Sequence, residues 1–165
     1  MNVIVAGVGN LLRGDDGFGV LVAQRLAASG SPSGVRVLDI GIGGIHLVQE
    51  LLTPVDVLIV VDAVELGREP GTVLVIRPQV ADLAAMPQTQ RHDELADMHY
   101  VTPERAFLLA RGLGVLPPVT WLVACQATPS DRPGAEVSAP VLAALDVAAA
   151  QVRRLVREAG VSWED

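Results

Sequence analysis

Short runs of β-branched and aliphatic residues alternate along the chain with segments whose apolar residues recur at helical spacing. Runs of the first kind predict buried strands, and segments of the second kind predict helices that cover a sheet. The predicted strands are residues 2–6, 35–40, 55–61, 73–76 and 119–124. The predicted helices are residues 18–28, 45–52, 102–111 and 139–158, the third with Thr102 as its N-cap and Pro103 at its first position.

The order of these elements predicts the fold class. Strands that alternate with helices form parallel sheets whose two faces are covered. Only residues 65–72 join the third and fourth strands, which is too short for a right-handed helical crossover, so this pair is predicted to be antiparallel. The sequence therefore predicts a three-layer α/β sandwich of the phosphorylase/hydrolase-like type. Its mixed, mostly parallel sheet has about five strands, with helices on both faces.

Composition narrows the class of protein. The chain has 165 residues, of which 50% are hydrophobic, and this predicts a single domain over residues 1–165. A mean hydropathy of +0.42 is high, but Asp56, Asp62 and Pro117 interrupt the most apolar stretches, so neither membrane insertion nor a signal peptide is expected. The net charge of −7 and 3% aromatic residues argue against a nucleic-acid partner. The lone Cys125 cannot form an internal disulfide and reads as a core residue, which favours the cytoplasm.

A glycine-rich segment, residues 7–19, connects the first strand to the first helix. Its Gly7-x-Gly9 start resembles a dinucleotide fingerprint, and Asp39 stands where a ribose-binding acid would. Leu12 replaces the third glycine, however, and Asp15 and Asp16 at the helix entry would repel a pyrophosphate. Asp15 is predicted to cap the helix, which leaves Asp16 in need of another partner.

Asp62 follows the apolar residues of the third strand. A carboxylate is costly in such surroundings, and ligands bind at the carboxyl ends of strands in open α/β sheets. The competing interpretation is a hydrogen-bonded structural Asp in a tight turn. His99 precedes the helix that starts at Thr102 and is weak evidence alone, because most histidines are ordinary polar residues.

Asp16, Asp62 and His99 gain significance together, because all three are expected at one edge of the sheet. Two carboxylates and an imidazole form a three-ligand set for a borderline divalent metal, with open positions left for substrate or water. His92, in the polar segment 79–100, is a spare candidate for the imidazole, whereas His46 reads as a partly exposed surface residue.

With these residues the sequence resembles the endopeptidases that mature [NiFe] hydrogenases. The resemblance covers nearly the whole chain: the Gly-Asn and Asp-Asp-Gly segment of residues 7–19, the strand-end Asp62, and His99 before a helix. It implies that Asp16, Asp62 and His99 contact the metal and carry the catalysis. The family commonly has a Gly-Thr pair after the second strand, where this chain has the loop from Gly41 to Gly44.

The resemblance implies a nickel-dependent endopeptidase that removes the C-terminal extension of a hydrogenase large-subunit precursor after nickel insertion. Nickel would come with the precursor, and no nucleotide is expected. Two alternatives stay open: a Rossmann-like nucleotide-binding oxidoreductase, and a binding relative without catalysis. The sequence favours the peptidase, because all three ligand types are present while the dinucleotide fingerprint is incomplete. The oligomeric state is not predicted.

Overall fold

A computed structural model describes residues 1–90, 102–128 and 134–164. The strands are β1 (Val3–Val8), β2 (Val35–Gly41), β3 (Val57–Val64), β4 (Val73–Ile76) and β5 (Val119–Gln126). The helices are α1 (Phe18–Ala28), α2 (Gly44–Glu50), α3 (Pro103–Gly112) and α4 (Ala139–Glu158), with short 3₁₀ turns at Gly14–Gly17 and Leu83–Ala85. Every strand and helix predicted from the sequence is therefore present, with ends that move by up to three residues.

The five strands form one sheet in the order β2-β1-β3-β5-β4. Strands β2, β1, β3 and β5 are parallel, and β4 runs antiparallel at the edge. The predicted pairing of the third and fourth strands is wrong in one respect, because β5 inserts between them and β4 pairs with β5. The short link after β3 does reverse the chain, as its length requires, but it passes over the position that β5 later fills.

Two apolar layers hold the helices against the sheet, as the predicted three-layer sandwich requires. Alternate residues of each central strand face opposite layers, which is the periodicity of a β-strand. Helices α1 and α4 pack on one face, with Phe18, Val22, Leu26, Val152 and Val156 against Val5, Ile59 and Val123. Helices α2 and α3 pack on the other face, with Leu47, Phe107 and Ala110 against Ile4, Leu58, Val60 and Leu122.

The glycines between β1 and α1 allow the helix to pack directly on the strands. A Cβ atom added at Gly19 would lie 2.1 Å from the carbonyl oxygen of Val61 and 2.3 Å from that of Val8. One added at Gly7 would lie 2.2 Å from the carbonyl oxygen of Gly19. No side chain fits in these positions, so this part of the glycine pattern is accounted for by helix packing within the chain. The same packing fixes the turn that carries Asp15 and Asp16.

Candidate functional site

A cavity of about 290 Å³ lies at the carboxyl edge of the sheet. It is formed by the chain segments that follow β1, β2 and β3, together with the first turn of α3. Ligands bind at this edge in open α/β sheets, where the strand order changes direction. The acidic residues of its lining are Asp16, Asp62, Glu65 and Glu104, and the exposed apolar side chains at its rim are Ile42 and Leu66.

Asp62 lies on the wall of this cavity, within the last three residues of β3, which extends beyond the predicted end of the strand to Val64. The residue is only 9% exposed, and the backbone N–H of Ala63 donates to its Oδ1 at 2.8 Å. Burial raises the pKa of Asp62 to about 8, and the negative charges of Asp16 and Glu104 act in the same direction. At neutral pH this carboxyl group therefore holds a proton for most of the time.

Asp16 faces the same cavity from the 3₁₀ turn before α1. Its Oδ2 accepts a hydrogen bond of 3.1 Å from the backbone N–H of Asn10, and its carbonyl oxygen accepts from the same N–H. Gly9 makes this contact possible, since its φ of +136° is open to glycine and an added Cβ would lie 1.8 Å from the Asp16 carbonyl oxygen. The backbone thus orients the Asp16 carboxylate while leaving it half-exposed to the cavity.

Asp15 has a different role from the one predicted. It does not cap α1, whose N-cap is Gly17. Its carboxylate accepts hydrogen bonds from the backbone N–H of Thr128 (2.8 Å), the backbone N–H of Ser138 (2.7 Å) and the hydroxyl of Ser138 (2.9 Å). Burial raises the pKa of Asp15, but these hydrogen bonds outweigh burial and leave the pKa below 3.8. Asp15 joins the end of β5 to the start of α4.

Glu104 is a residue of the cavity that the sequence reasoning did not select. Thr102 caps α3, Pro103 occupies its first position, and Glu104 in the first turn faces the cavity that contains Asp62. The sequence signal was present, because an acid in the first turn of a helix is stabilised by the helix dipole. Because that explanation accounts for an acid at this position, the sequence offered no reason to place Glu104 near Asp62.

Gln126 is a second residue that the prediction did not single out. It lies at the end of β5, is 4% exposed, and its Oε1 accepts from the backbone N–H groups of Leu66 and Arg68 at 2.8 and 3.1 Å. Its Nε2 donates to the carbonyl oxygen of Ala127 at 2.9 Å. A buried amide with this many partners fixes the segment after β3, so it determines where Leu66 and its neighbours stand at the cavity rim.

The structure describes one of the chain's three histidines, His46. His99 and the alternative His92 both lie outside the described residues. His46 is on α2 with its side chain 55% exposed, and its Nε2 lies 3.5 Å from Glu50 Oε1, in agreement with the predicted surface role. Of the three predicted site residues, the structure therefore brings Asp16 and Asp62 to one cavity and does not describe the third. Within residues 1–90, 102–128 and 134–164, no cluster of three or more metal-ligating side chains is found.

The glycine loop after β2 approaches the loop after β1. Gly41 has a φ of +59°, and its carbonyl oxygen accepts a hydrogen bond of 2.9 Å from the backbone N–H of Gly9. Asp39, which the dinucleotide interpretation assigned to a ribose, accepts a hydrogen bond of 3.1 Å from Gln24 on α1.

Two further expectations concern the core and the membrane. Cys125 is fully buried in β5, and burial raises the pKa of its thiol to about 11, which agrees with a core role. No helix in the described part of the chain is both long and apolar enough to cross a bilayer.

The fold and the cavity define a class: an α/β protein with an acidic cavity at the carboxyl edge of a mostly parallel sheet. Comparison with known proteins identifies the family within that class. The family model for hydrogenase maturation proteases (HycI) matches residues 20–154. The hydrogenase expression/formation protein HupM of Azotobacter chroococcum mcd 1 is 34% identical over 161 residues, which cover 97% of this chain and 74% of that protein.

Two solved structures have the same fold. The hydrogenase maturating endopeptidase HybD from E. coli superposes with a TM-score of 0.75 at 26% identity, over 98% of this chain and 96% of that one. A hydrogenase 2 maturation peptidase from a Thaumarchaeota archaeon has a TM-score of 0.67 at 32% identity, over 94% and 98% of the two chains. The protein belongs to the hydrogenase maturation protease family, whose members are peptidases.

Proposed function

We propose that the protein is an endopeptidase that removes the C-terminal extension of a [NiFe] hydrogenase large-subunit precursor once nickel has been inserted. In this proposal Asp16, Asp62 and His99 contact the precursor's nickel, which belongs to the substrate. The observation that carries the proposal is the pair of carboxylates, Asp16 and Asp62, on the wall of one cavity at the carboxyl edge of the sheet. Membership of the protease family supplies the reaction class.

The donor chemistry fits a borderline divalent ion. Carboxylate oxygens and an imidazole nitrogen are ligands that nickel accepts, and a set of two carboxylates and one histidine leaves positions open for the precursor's own ligands. Among the described residues the Asp62 carboxyl group accepts one hydrogen bond, from Ala63, and the Asp16 carboxylate accepts one, from Asn10. Both groups therefore keep lone pairs available for a cation.

The raised pKa of Asp62 is consistent with a metal site whose buried carboxyl group is neutral until a metal binds. A protonated carboxyl group is neutral, so the buried position can exist without a charge until a cation arrives. A metal ligand must be deprotonated, and metal binding therefore displaces the Asp62 proton. We infer that the half-exposed Asp16 carboxylate first attracts the nickel centre and that Asp62 then completes the contact.

Hydrolysis takes place beside this contact. Water adds to the carbonyl carbon of the scissile peptide bond, the C–N bond breaks, and the released amine takes up a proton. Nickel held by Asp16, Asp62 and His99 would supply a Lewis acid for that carbonyl group. The residues of the cavity orient the precursor, and the apolar rim with Ile42 and Leu66 supplies contact area for it. Cleavage would thereby depend on the presence of nickel in the precursor.

The test compares two forms of one substrate. The purified protein is incubated with a nickel-loaded hydrogenase large-subunit precursor and, separately, with the nickel-free precursor, and mass spectrometry measures the loss of C-terminal mass. We expect cleavage of the nickel-loaded form alone. Asp62→Asn and His99→Ala should abolish cleavage, whereas Asp146→Asn, on the 76% exposed Asp146 of α4, is a matched control that should retain the wild-type rate.

Three results would contradict the proposal in different ways. Equal cleavage of both precursor forms would exclude a nickel checkpoint while leaving the peptidase activity. Wild-type rates for both site variants would show that the cavity with Asp62 is not the active site. Cleavage of neither form would favour the alternative that the protein is a binding relative without catalysis. Measuring precursor binding by gel filtration would then test that alternative.

A further inference from the structure

A second cavity adjoins the candidate site. Its volume is about 230 Å³, and it lies between α3 and the chain that follows β4. Glu104, in the first turn of α3, lines both cavities, which are therefore neighbours. The wall of the second cavity contains the apolar side chains of Val80, Met86, Phe107 and Leu108, and its polar side chains besides Glu104 are Gln79 and Arg105.

Tertiary contacts hold the wall of this second cavity in place. The guanidinium group of Arg111 on α3 donates to the carbonyl oxygen of Val80. The side chain of Asp82 caps the turn at Leu83–Ala85 by accepting from the backbone N–H of Ala84 at 2.9 Å. Leu83 of that turn is 8% exposed and packs on Gly112, where an added Cβ would lie 2.6 Å from Leu83 Cδ1. The cavity is thus preformed, which lowers the entropic cost of binding a flexible peptide.

We propose that the second cavity is a subsite for apolar side chains of the precursor's C-terminal extension. The proposal rests on the proposed function above. A cavity of this size accommodates a short apolar segment and is too small for a folded domain. The first cavity has the acids Asp16 and Asp62 and the neighbouring one has Val80 and Met86, so an extended chain that passes Glu104 can place a cation in the first and apolar side chains in the second.

The direction of the bound precursor chain follows from the positions of the two cavities. The folded body of the precursor holds the nickel, and that end of the substrate occupies the cavity of Asp16 and Asp62. The peptide beyond the scissile bond leads away from the metal, past Glu104, and this is the extension that cleavage releases. The apolar subsite therefore binds the leaving peptide and contributes to its recognition before the bond breaks.

The test fills the cavity from an exposed position. Ala81 is exposed and lines the cavity, so Ala81→Phe adds bulk there without disturbing the core; Ala84→Phe changes an equally exposed alanine of the same segment that does not line the cavity. The substrate is the nickel-loaded precursor, either with its full extension or with the extension cut back to its first two residues. We expect Ala81→Phe to raise KM for the full precursor at least tenfold with kcat within twofold, and Ala84→Phe to leave both within twofold.

The shortened precursor separates this subsite from a general defect. Wild type and Ala81→Phe should process it with the same kcat/KM, because the side chains that the subsite binds are gone. An unchanged KM for Ala81→Phe on the full precursor, or an equal loss on both precursors, would overturn the subsite while wild-type cleavage still supports the proposed function. Wild-type protein that cleaves no nickel-loaded precursor would instead contradict the proposed function, and the subsite with it. Ala81→Asp, which introduces a charge without bulk, should raise KM in the same way if Ala81→Phe alters the melting temperature.

Discussion

Asp15 and Asp62 are two carboxylates that are buried to nearly the same extent, 6% and 9% exposed, yet their environments have opposite effects. Asp15 accepts three hydrogen bonds of 2.7 to 2.9 Å from Thr128 and Ser138, and its pKa lies below 3.8. Asp62 accepts one, from Ala63, and burial raises its pKa to about 8. The two pKa values differ because the carboxyl group of Asp62 lies deeper than that of Asp15 and because Asp15 has more hydrogen-bond donors, so a low exposed fraction alone does not indicate function.

The difference explains why one acid is structural and the other is available for a ligand. Each donor that points at Asp15 stabilises its charged form and ties β5 to α4. Asp62 has one such donor among the described residues and faces a cavity, so its carboxyl group is mainly neutral and remains available for a ligand. Perturbed carboxyl groups in clefts are typical of functional sites.

The largest effect is expected from Asp62→Asn in the processing reaction. The amide retains the size of the side chain but cannot bind a cation as a carboxylate does, so cleavage of the nickel-loaded precursor should fall at least a hundredfold. The fold should be retained, which circular dichroism and gel filtration check. Activity within threefold of wild type would mean that the Asp62 carboxyl group has no role in the reaction.

Asp15→Ala should instead act on stability. It leaves the backbone N–H groups of Thr128 and Ser138 without their acceptor, so the free energy of unfolding should decrease by about 3 kcal/mol and the melting temperature by about 6 to 12 °C. Because the pKa of Asp15 is lowered in the folded protein, this advantage of the wild type is present above pH 3.8 and is lost as the pH falls through the folded pKa. Asp146→Ala, on an exposed acid, is the control that should change the melting temperature by no more than a degree or two.

Much of the fold could be predicted from the sequence, because the apolar runs are strongly periodic and end in clear signals. Thr102 and Pro103 marked the start of α3, and the residues 18–28 and 139–158 coincide with α1 and α4. The position of β5 between β3 and β4 could not be predicted, since it depends on contacts between residues about 50 to 60 positions apart. Local patterns carry no information on such pairings.

The residues of the candidate site could likewise be predicted only in part. Asp16 and Asp62 could be selected because a charge at the end of an apolar strand or beside a capping acid needs an explanation. Glu104 and Gln126 could not, because an acid in a first helical turn and an amide at a strand end have ordinary explanations. The predicted role of Asp15 was wrong because its partners Thr128 and Ser138 are more than 110 residues away in sequence, where no local pattern indicates them.

The pH dependence of the free energy of unfolding should have the opposite sign for Asp62 and for Asp15. A carboxyl group whose folded pKa is raised from 3.8 to about 8 contributes stability that is full below pH 3.8 and is lost as the pH rises towards 8. Asp62→Asn should therefore match the wild type near pH 4 and exceed it by about 5 kcal/mol at pH 8, since each pH unit between 3.8 and about 8 corresponds to about 1.4 kcal/mol. Urea unfolding at a series of pH values measures the difference, and a difference that is constant with pH would exclude the elevated pKa.

The smallest effect is expected from Glu104→Gln, which removes one of the two charges that raise the pKa of Asp62 and leaves burial, the main cause, in place. The pKa of Asp62, followed by the NMR shift of its carboxyl carbon, should fall by a fraction of a unit, since a half-solvated charge is strongly screened. Glu69→Gln removes an exposed acid that does not act on Asp62 and should leave the titration unchanged. An equal shift in both variants would assign the effect to net charge, whereas a shift in Glu104→Gln alone would make Glu104 an electrostatic neighbour of Asp62 across the cavity. The contrast between Asp15 and Asp62 would then depend on the like charges around Asp62 as well as on the number of hydrogen-bond donors.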